Sequence, residues 1–558
     1  MKFPTPVYHM KLVSSLTKVF PDEEPKYQPE CLSLTALKNE TVSFQVAYTG
    51  TGFMREQLHV SVLSPLQPYI HVRTVENVPV GRAYNGIADD NYLKTTSGMY
   101  PDLLRELKNE SALIYTKQWR SLWIDVEVSE LVTAGTYSIE IQLQKENEVV
   151  CKETMNITIY EPVLPKQTLM HTEWMHADCL ADYYHVQPFS EEHWTILEHF
   201  FLEYVKRGCN MMLTPMFTPP LDTAMGGERT TVQLVNIKVE GSTYLFDFDN
   251  MKRWIDLCKK CGIEYFEMSH LFSQWGAKYA PKIMGTVNGN EEKIFGWHTP
   301  AVGEYTNFLH SYLPQLIEKL KEWNIDQVTY FHISDEPRES DLETFRQAKE
   351  SVSDLLQGFP TFDALSSYEF YKHGLIDKPI PGNNEIDQFL ANGLTDMWTY
   401  YCTGQFYEVS NRFMSMPSAR NRIYGIQLYK YDIIGILHWG YNFYNSQFSY
   451  EHINPYEVTD AGGGFPSGDA FLVYPGADTY PEESIRMMVH NEALNDLRAC
   501  QLLESLTSKA YVMGLLENEL AVPLTFKVYP KSDMYLITLR NRINREIAKR
   551  LDGIPSPV

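Results

Sequence analysis

Up to about residue 161 the hydrophobic positions recur at a period of two. Thr41-Val-Ser-Phe-Gln-Val-Ala-Tyr48, Leu122-Trp-Ile-Asp-Val-Glu-Val128, Tyr137-Ser-Ile-Glu-Ile-Gln-Leu143 and Met155-Asn-Ile-Thr-Ile-Tyr160 each put alternate side chains on one face. That is the signature of half-buried strands. Turn residues Ala134-Gly135 lie before the third run, which reads as part of a hairpin. Many short strands without a helical period predict a β-sandwich over residues 1–165.

Beyond residue 166 the pattern changes to strand followed by helix. Apolar runs at Thr168–Trp174, Met211–Thr214, Ile263–Met268, Gln327–Ile333, Phe362–Leu365, Met397–Tyr401, Ile433–His438 and Ala470–Tyr474 are strand candidates. Helical spacing appears at Glu191–Lys206, Asn250–Lys260, Glu304–Trp323, Leu342–Leu356 and Glu483–Leu503. About eight such units over some 340 residues is the size of a (β/α)8 barrel, predicted over 166–507. A doubly wound sheet is the alternative, but no Gly-rich turn follows the first strand to support a dinucleotide site. Residues 508–558 read as a polar, helical extension. The expected class is thus α/β plus all-β, a C-terminal (β/α)8 TIM-like barrel behind an N-terminal β-sandwich.

Charge narrows the partners. The 558 residues carry 48 basic and 71 acidic side chains, a net charge of −23. Such a surface repels phosphate backbones, so nucleic acid is excluded. No apolar run reaches the roughly 18 residues of a membrane helix. Met1–Met10 has no run of signal-peptide length either, and the expected location is cytoplasmic. The eight cysteines are scattered, and a lone Cys258-Lys-Lys-Cys261 is weak zinc evidence. Free thiols are expected, and no metal or organic cofactor. Aromatics make up 13% of the chain, with 36 Tyr and 10 Trp, which fits either large cores or a cleft whose flat rings stack on sugars.

The sharpest chemical feature is Phe331-His-Ile-Ser-Asp335-Glu336-Pro337. An apolar strand runs into two adjacent carboxylates, and in a barrel the strand ends carry function. Burying two neighbouring acids costs several kcal/mol unless they are hydrogen-bonded or share a proton. Neighbouring strand residues point to opposite faces, so both acids reach one cleft only where the backbone turns. The bland alternative is a helix cap and a salt bridge. The pattern of strand, acidic pair and proline at the fourth barrel strand resembles many barrel glycosidases, in which the glutamate is the general acid; an ordinary retaining enzyme then needs a second carboxylate about 5 Å away. The later strands end instead in aromatics, amides and hydroxyls, which favours a nucleophile supplied by the substrate, the oxygen of a 2-acetamido group.

These residues resemble glycoside hydrolase family 123, the β-N-acetylgalactosaminidases, and its wider barrel-domain relatives. His332-Ile-Ser-Asp-Glu-Pro337 resembles the family's catalytic strand. Leu37-Lys-Asn-Glu-Thr-Val-Ser-Phe-Gln45 and Ala134-Gly-Thr-Tyr137 are similar to its sandwich, and Trp439-Gly-Tyr-Asn442, Gly468–Gly476 and Glu483-Ser-Ile-Arg486 to its later barrel segments. Tyr444 and Ala470 depart from the usual Trp and Gly. The resemblance implies that Glu336 protonates the glycosidic oxygen and later activates water, while Asp335 stays charged, holds the acetamido N–H and raises the pKa of Glu336. The expected substrate is an oligosaccharide or glycoconjugate.

Trp275, Trp398 and Trp439 are candidates for stacking beneath the sugar. Tyr400 or Tyr401 is a candidate donor to the acetamido oxygen. His176, His270 and Asn442 lie near expected strand ends and are candidates for binding hydroxyls, as is Asp178. Two other readings remain open. One is a glycosidase on another sugar with an enzyme nucleophile such as Asp363, Glu369 or Glu408. The other is a carbohydrate-binding protein without catalysis.

Overall fold

The computed structural model describes residues 5–26 and 33–551. Cys31 lies outside them, and the seven described cysteines are free. The first ten strands form two five-stranded sheets. One runs in the order Val7–Ser14, Glu40–Thr51, Arg120–Val128, Ile70–Val80, Gly98–Glu106, antiparallel throughout. The other runs Ser33–Lys38, Glu148–Val163, Gly135–Lys145, Arg55–Leu63, Ser111–Tyr115. Both turn alternate residues onto one core, in which Phe44, Val46, Leu122 and Ile124 of the first meet Ile139, Ile141, Leu143 and Ile157 of the second. The period-two reading therefore finds its strands, with one correction. Arg120–Val128 and Gly135–Lys145 lie in different sheets, so Ala134-Gly135 is a crossing rather than a hairpin turn. The hairpin joins Gly135–Lys145 to Glu148–Val163 through Glu146 and Asn147, both at positive φ (49° and 68°), the conformation a two-residue turn needs to match strand twist.

Six parallel strands follow in the order Thr329–Phe331, Tyr265–Met268, Met211–Thr214, Met170–Glu173, Gly435–His438, Trp398–Tyr400. A further parallel pair, Phe362–Ala364 with Lys378–Ile380, is linked to the two edges by single parallel bridges, Phe331 to Thr361 and Gly382 to Tyr400. Seven of the eight expected strands occupy these positions. Ala470–Tyr474 does not: only Tyr474–Pro475 is extended, paired antiparallel with Pro481–Glu482. The missing strand is Lys378–Ile380, three residues with a proline at their centre, too short to show a period.

Helices Glu191–Lys206, Asp249–Cys261, Glu304–Glu322, Leu342–Glu350 and Ile485–Leu506 match the expected ones within a few residues, except that Leu342–Glu350 ends early. Ser418–Lys430 was not legible because it is buried on nearly every side and has no apolar stripe. It packs against Ile485–Leu506 at Gly425, where a Cβ would sit 1.9 Å from the Ala493 carbonyl oxygen. The end of the chain, helices Lys509–Glu517 and Asp533–Leu551, returns to its beginning. Asn541 Oδ1 accepts from the Thr35 N–H at 3.0 Å, and Arg540 pairs with Glu40 and with Asp496. Asp102 and Arg486 add a two-pronged ion pair at 2.8 and 2.9 Å, tying the early sheets to the helix behind the parallel strands. No helix among the described residues is long and apolar enough to cross a membrane.

Candidate active site

The strand Thr329–Phe331 continues as extended backbone zipped to the segment that follows Tyr265–Met268. Leu271, Phe272 and Trp275 donate their N–H groups to the carbonyls of His332, Ile333 and Asp335 at 3.1, 3.0 and 3.0 Å. On the other side, the Glu336 N–H donates to Ala364 O at 3.0 Å. Between these two anchors Glu336 takes φ +43°, a left-handed conformation unusual for a residue with a side chain. Adjacent strand residues would point apart. The left-handed turn sends both carboxyl groups into one cleft of about 320 Å3, lined by Asp335, Glu336, Trp174, Asp222, Trp275, Tyr400, Trp439 and Phe448 among others.

Both acids are poised to hold a proton. Burial, and then the neighbouring Glu336 carboxyl, push Asp335 well above the usual carboxylate range, against the pull of His332 and of the Gln274 amide. Burial also raises Glu336; the Tyr400 hydroxyl opposes it and Asp469 adds to it. The increase at Glu336 therefore comes from burial first, where the sequence argument assigned it to Asp335. Two such buried carboxyls titrate as a pair that keeps one proton where isolated acids would hold none.

Each acid has one oxygen engaged. Gln274 Nε2 donates to Asp335 Oδ2 at 2.6 Å. The Tyr400 hydroxyl donates to Glu336 Oε1 at 2.9 Å, and the Cys402 thiol approaches the same oxygen at 3.9 Å. Asp335 Oδ1 and Glu336 Oε2 have no hydrogen-bond partner among the described residues. Beneath the pair lies His332, fully buried, with Nε2 2.9 Å from Glu267 and Nδ1 3.1 Å from Asp363. Burial opposes its charge, but the two carboxylates outweigh it and push it up to about 9. An imidazolium thus sits under the acids at neutral pH.

Trp275, Tyr400 and Trp439 line the cleft with the acid pair. Six other candidates are placed outside its wall. His176 is buried, bonded through Nε2 to Trp439 O at 2.8 Å and through Nδ1 to Arg229 at 3.0 Å. Burial and Arg229 hold it down to about 3, so it stays neutral. Asn442 brackets the His176 backbone with its amide. His270 stacks on His332 with ring centres 4.2 Å apart. Trp398 packs on Phe362 and Tyr330 in the core. Tyr401 packs on Tyr424 and His438, and Asp178 is consumed by Arg229. Of the alternative nucleophiles, Asp363 holds His332, Glu369 pairs with Lys372, and Glu408 is exposed on a loop; none lines the cleft.

Asp222 and Gln274 line it without having been singled out from the sequence. Each follows one of the parallel strands, which is the signal that could have found them. Asp222 Oδ2 accepts from the Phe448 N–H at 2.9 Å, and burial pushes its carboxyl up to about 6. Among the described residues, two buried groups also have metal-compatible spacing, His171–Glu173–His490 and His270–His332–Asp363. Each group draws at least one member from a distant part of the chain and so formed no motif. Both Glu173 oxygens already receive Arg412 at 2.7 Å, and both His332 nitrogens are engaged, so protein cations fill the roles a metal would take.

Residues 174–503 match the family model described as the glycoside hydrolase 123 catalytic domain. No curated protein matches the sequence. Among solved structures, a family 123 glycoside hydrolase from Clostridium perfringens, studied for glycolipid glycan hydrolysis, superposes with a TM-score of 0.72 at 16% identity. The alignment covers 97% of this chain and 98% of that one. A family 2 member from Bacteroides cellulosilyticus aligns over 72% of this chain and 44% of its own at 12% identity, with a TM-score of 0.27, too low to carry an argument. With its catalytic-domain match spanning more than half the residues and including the acid pair, this chain belongs to glycoside hydrolase family 123 and is a glycoside hydrolase.

Proposed function

We propose that the enzyme is a retaining exo-glycosidase that removes β-linked N-acetylhexosamine, with N-acetylgalactosamine as the sugar, by a substrate-assisted mechanism. The observation that carries this reading is the convergence of Asp335 and Glu336 on one small cleft. The acetamido oxygen attacks the anomeric carbon while the proton on Glu336 passes to the departing glycosidic oxygen. Water then attacks the cyclised intermediate as Glu336 takes its proton. Asp335 accepts the acetamido N–H and stabilises the positive charge on the ring. Two displacements leave the product in the β configuration. Trp275 and Trp439 offer faces to the sugar, and Tyr400 tunes Glu336. A cleft at the small end of ligand sites suits one terminal residue. On this reading the eight parallel strands form a (β/α)8 barrel over 166–507, behind a β-sandwich over 1–165, and the helices Lys509–Glu517 and Asp533–Leu551 brace the two.

One observation favours a second reading: Asp222 lines the cleft, so an enzyme carboxylate is present that could form a covalent glycosyl ester. Nitrophenyl β-glycosides with and without a 2-acetamido group separate the two. The substrate-assisted reading expects turnover only with the acetamido group, and comparable turnover without it would overturn that reading. Glu336→Gln should slow natural glycosides far more than activated ones, because only a basic leaving oxygen needs the acid.

A further inference from the structure

Gln274 sits at one point of contact between three separate stretches of chain. Its place is set by backbone: the zipper from Leu271 to Trp275 runs beside His332 to Asp335, and the Ser334 hydroxyl closes it by donating to Ser273 O at 2.8 Å. On its far side, Gln274 Oε1 accepts from the Asp222 N–H at 2.7 Å. Asp222 is held in a left-handed conformation (φ +39°), and its loop is pinned by Phe448 N–H to Oδ2 and by the Ser449 hydroxyl to its carbonyl, at 2.9 and 2.7 Å.

A side-chain amide has two ends that a mobile residue could exchange. Here the exchange is blocked, because a backbone N–H only donates. Turning the amide over would set its NH2 against the Asp222 N–H. Oε1 must therefore face Asp222, and Nε2 must face Asp335 Oδ2, at 2.6 Å. An amide N–H also only donates, so Asp335 Oδ2 must act as an acceptor. At the partner acid, Glu336 Oε1 receives the Tyr400 hydroxyl at 2.9 Å; each acid thus keeps one oxygen able to carry a proton, Asp335 Oδ1 and Glu336 Oε2, and the shorter hydrogen bond, from Gln274, favours the charge on Asp335.

We propose that Gln274 is a positioning residue that assigns the shared proton of the acid pair. Oriented by the Asp222 N–H, it keeps Asp335 as the ionised acceptor and leaves the proton on Glu336. This deepens the substrate-assisted reading and rests on it for the roles of the two acids. Gln274 acts against burial and the Glu336 carboxyl, which together push Asp335 upward.

The test is the pH dependence of kcat/KM in Gln274→Met, which keeps the length and removes the donor, and in Gln274→Glu, which keeps the shape and adds a third acid. Asp335 must be ionised for turnover, so activity is lost as pH falls through its pKa. Removing a hydrogen bond to a charged acceptor should move that acid limb upward by about one to two pH units, and further in Gln274→Glu. Below the limb, kcat/KM should fall about ten- to hundredfold. Thermal melting checks folding, and if Gln274→Met does not fold, the near-isosteric Gln274→Glu decides. An unshifted acid limb, with activity normal or reduced equally at all pH values, would overturn the proposal. The profile is measured on whichever β-glycoside the native enzyme hydrolyses. Loss of acetamido selectivity would then sink the mechanism, while the acid limb still reports on Gln274.

Discussion

Tyr400→Phe isolates a single hydrogen bond at the acid pair. The ring is buried and fills the same space in the variant, so only the hydroxyl 2.9 Å from Glu336 Oε1 is lost. That hydroxyl favours the ionised carboxylate, and it opposes the upward push of burial and Asp469. A neutral donor to a charged acceptor is worth about 1.5 kcal/mol, or about one pKa unit. Without it the pKa of Glu336 rises. Because Glu336 must be protonated to act as acid, activity should persist to higher pH: the basic limb of kcat/KM moves up by about one unit. The acid limb, which reports Asp335, should stay within a few tenths. The assay is a pH–rate series on a substrate with a basic leaving group. A basic limb that stays put or moves down would refute both the direction of the Tyr400 effect and the assignment of that limb to Glu336.

Arg412→Met leaves Glu173 buried without its bidentate partner, and denaturant unfolding should show a loss of about 3–5 kcal/mol. Near-normal stability would mean that His171 and His438, 3.2 and 3.6 Å from the Glu173 carboxylate, compensate. His332 binds its proton more tightly when folded, at about 9 against about 6.5 unfolded. Its contribution is therefore complete below about pH 6.5 and lost as pH rises through 9. The difference in melting temperature between native protein and His332→Gln should shrink over that interval, and a constant difference would show that His332 is neutral when folded.

Much of this architecture is legible in the chain because burial leaves a period. Met211–Thr214 and Glu191–Lys206 were placed to the residue, since one is a short apolar run between turns and the other an amphipathic helix with Ser190 capping it. Lys378–Ile380 and Ser418–Lys430 were not, the first for its brevity and the second because burial on nearly all sides erases the stripe. The acid pair stood out for the same reason it is costly: two carboxylates ending an apolar strand. Its surroundings did not, because the cleft is assembled from loops after different strands. Sequence cannot tell Trp275, which faces the cleft, from Trp398, which is sealed by Phe362 and Gly435. Gln274 and Asp222 matter through backbone geometry that only the folded loops disclose.

The central claim is that the substrate's own acetamido oxygen performs the first displacement, with Asp335 opposite the charge it develops. The most direct measurement is competitive inhibition by a thiazoline analogue of the cyclised intermediate, compared between the native enzyme and Asp335→Asn. The account predicts tight competitive inhibition of the native enzyme, because the site stabilises the species that the analogue imitates. In Asp335→Asn that inhibition should weaken by roughly two orders of magnitude, the scale of removing one well-placed electrostatic stabiliser. A native enzyme indifferent to the thiazoline, but trapped by a fluorinated sugar as an ester on Asp222, would contradict the account.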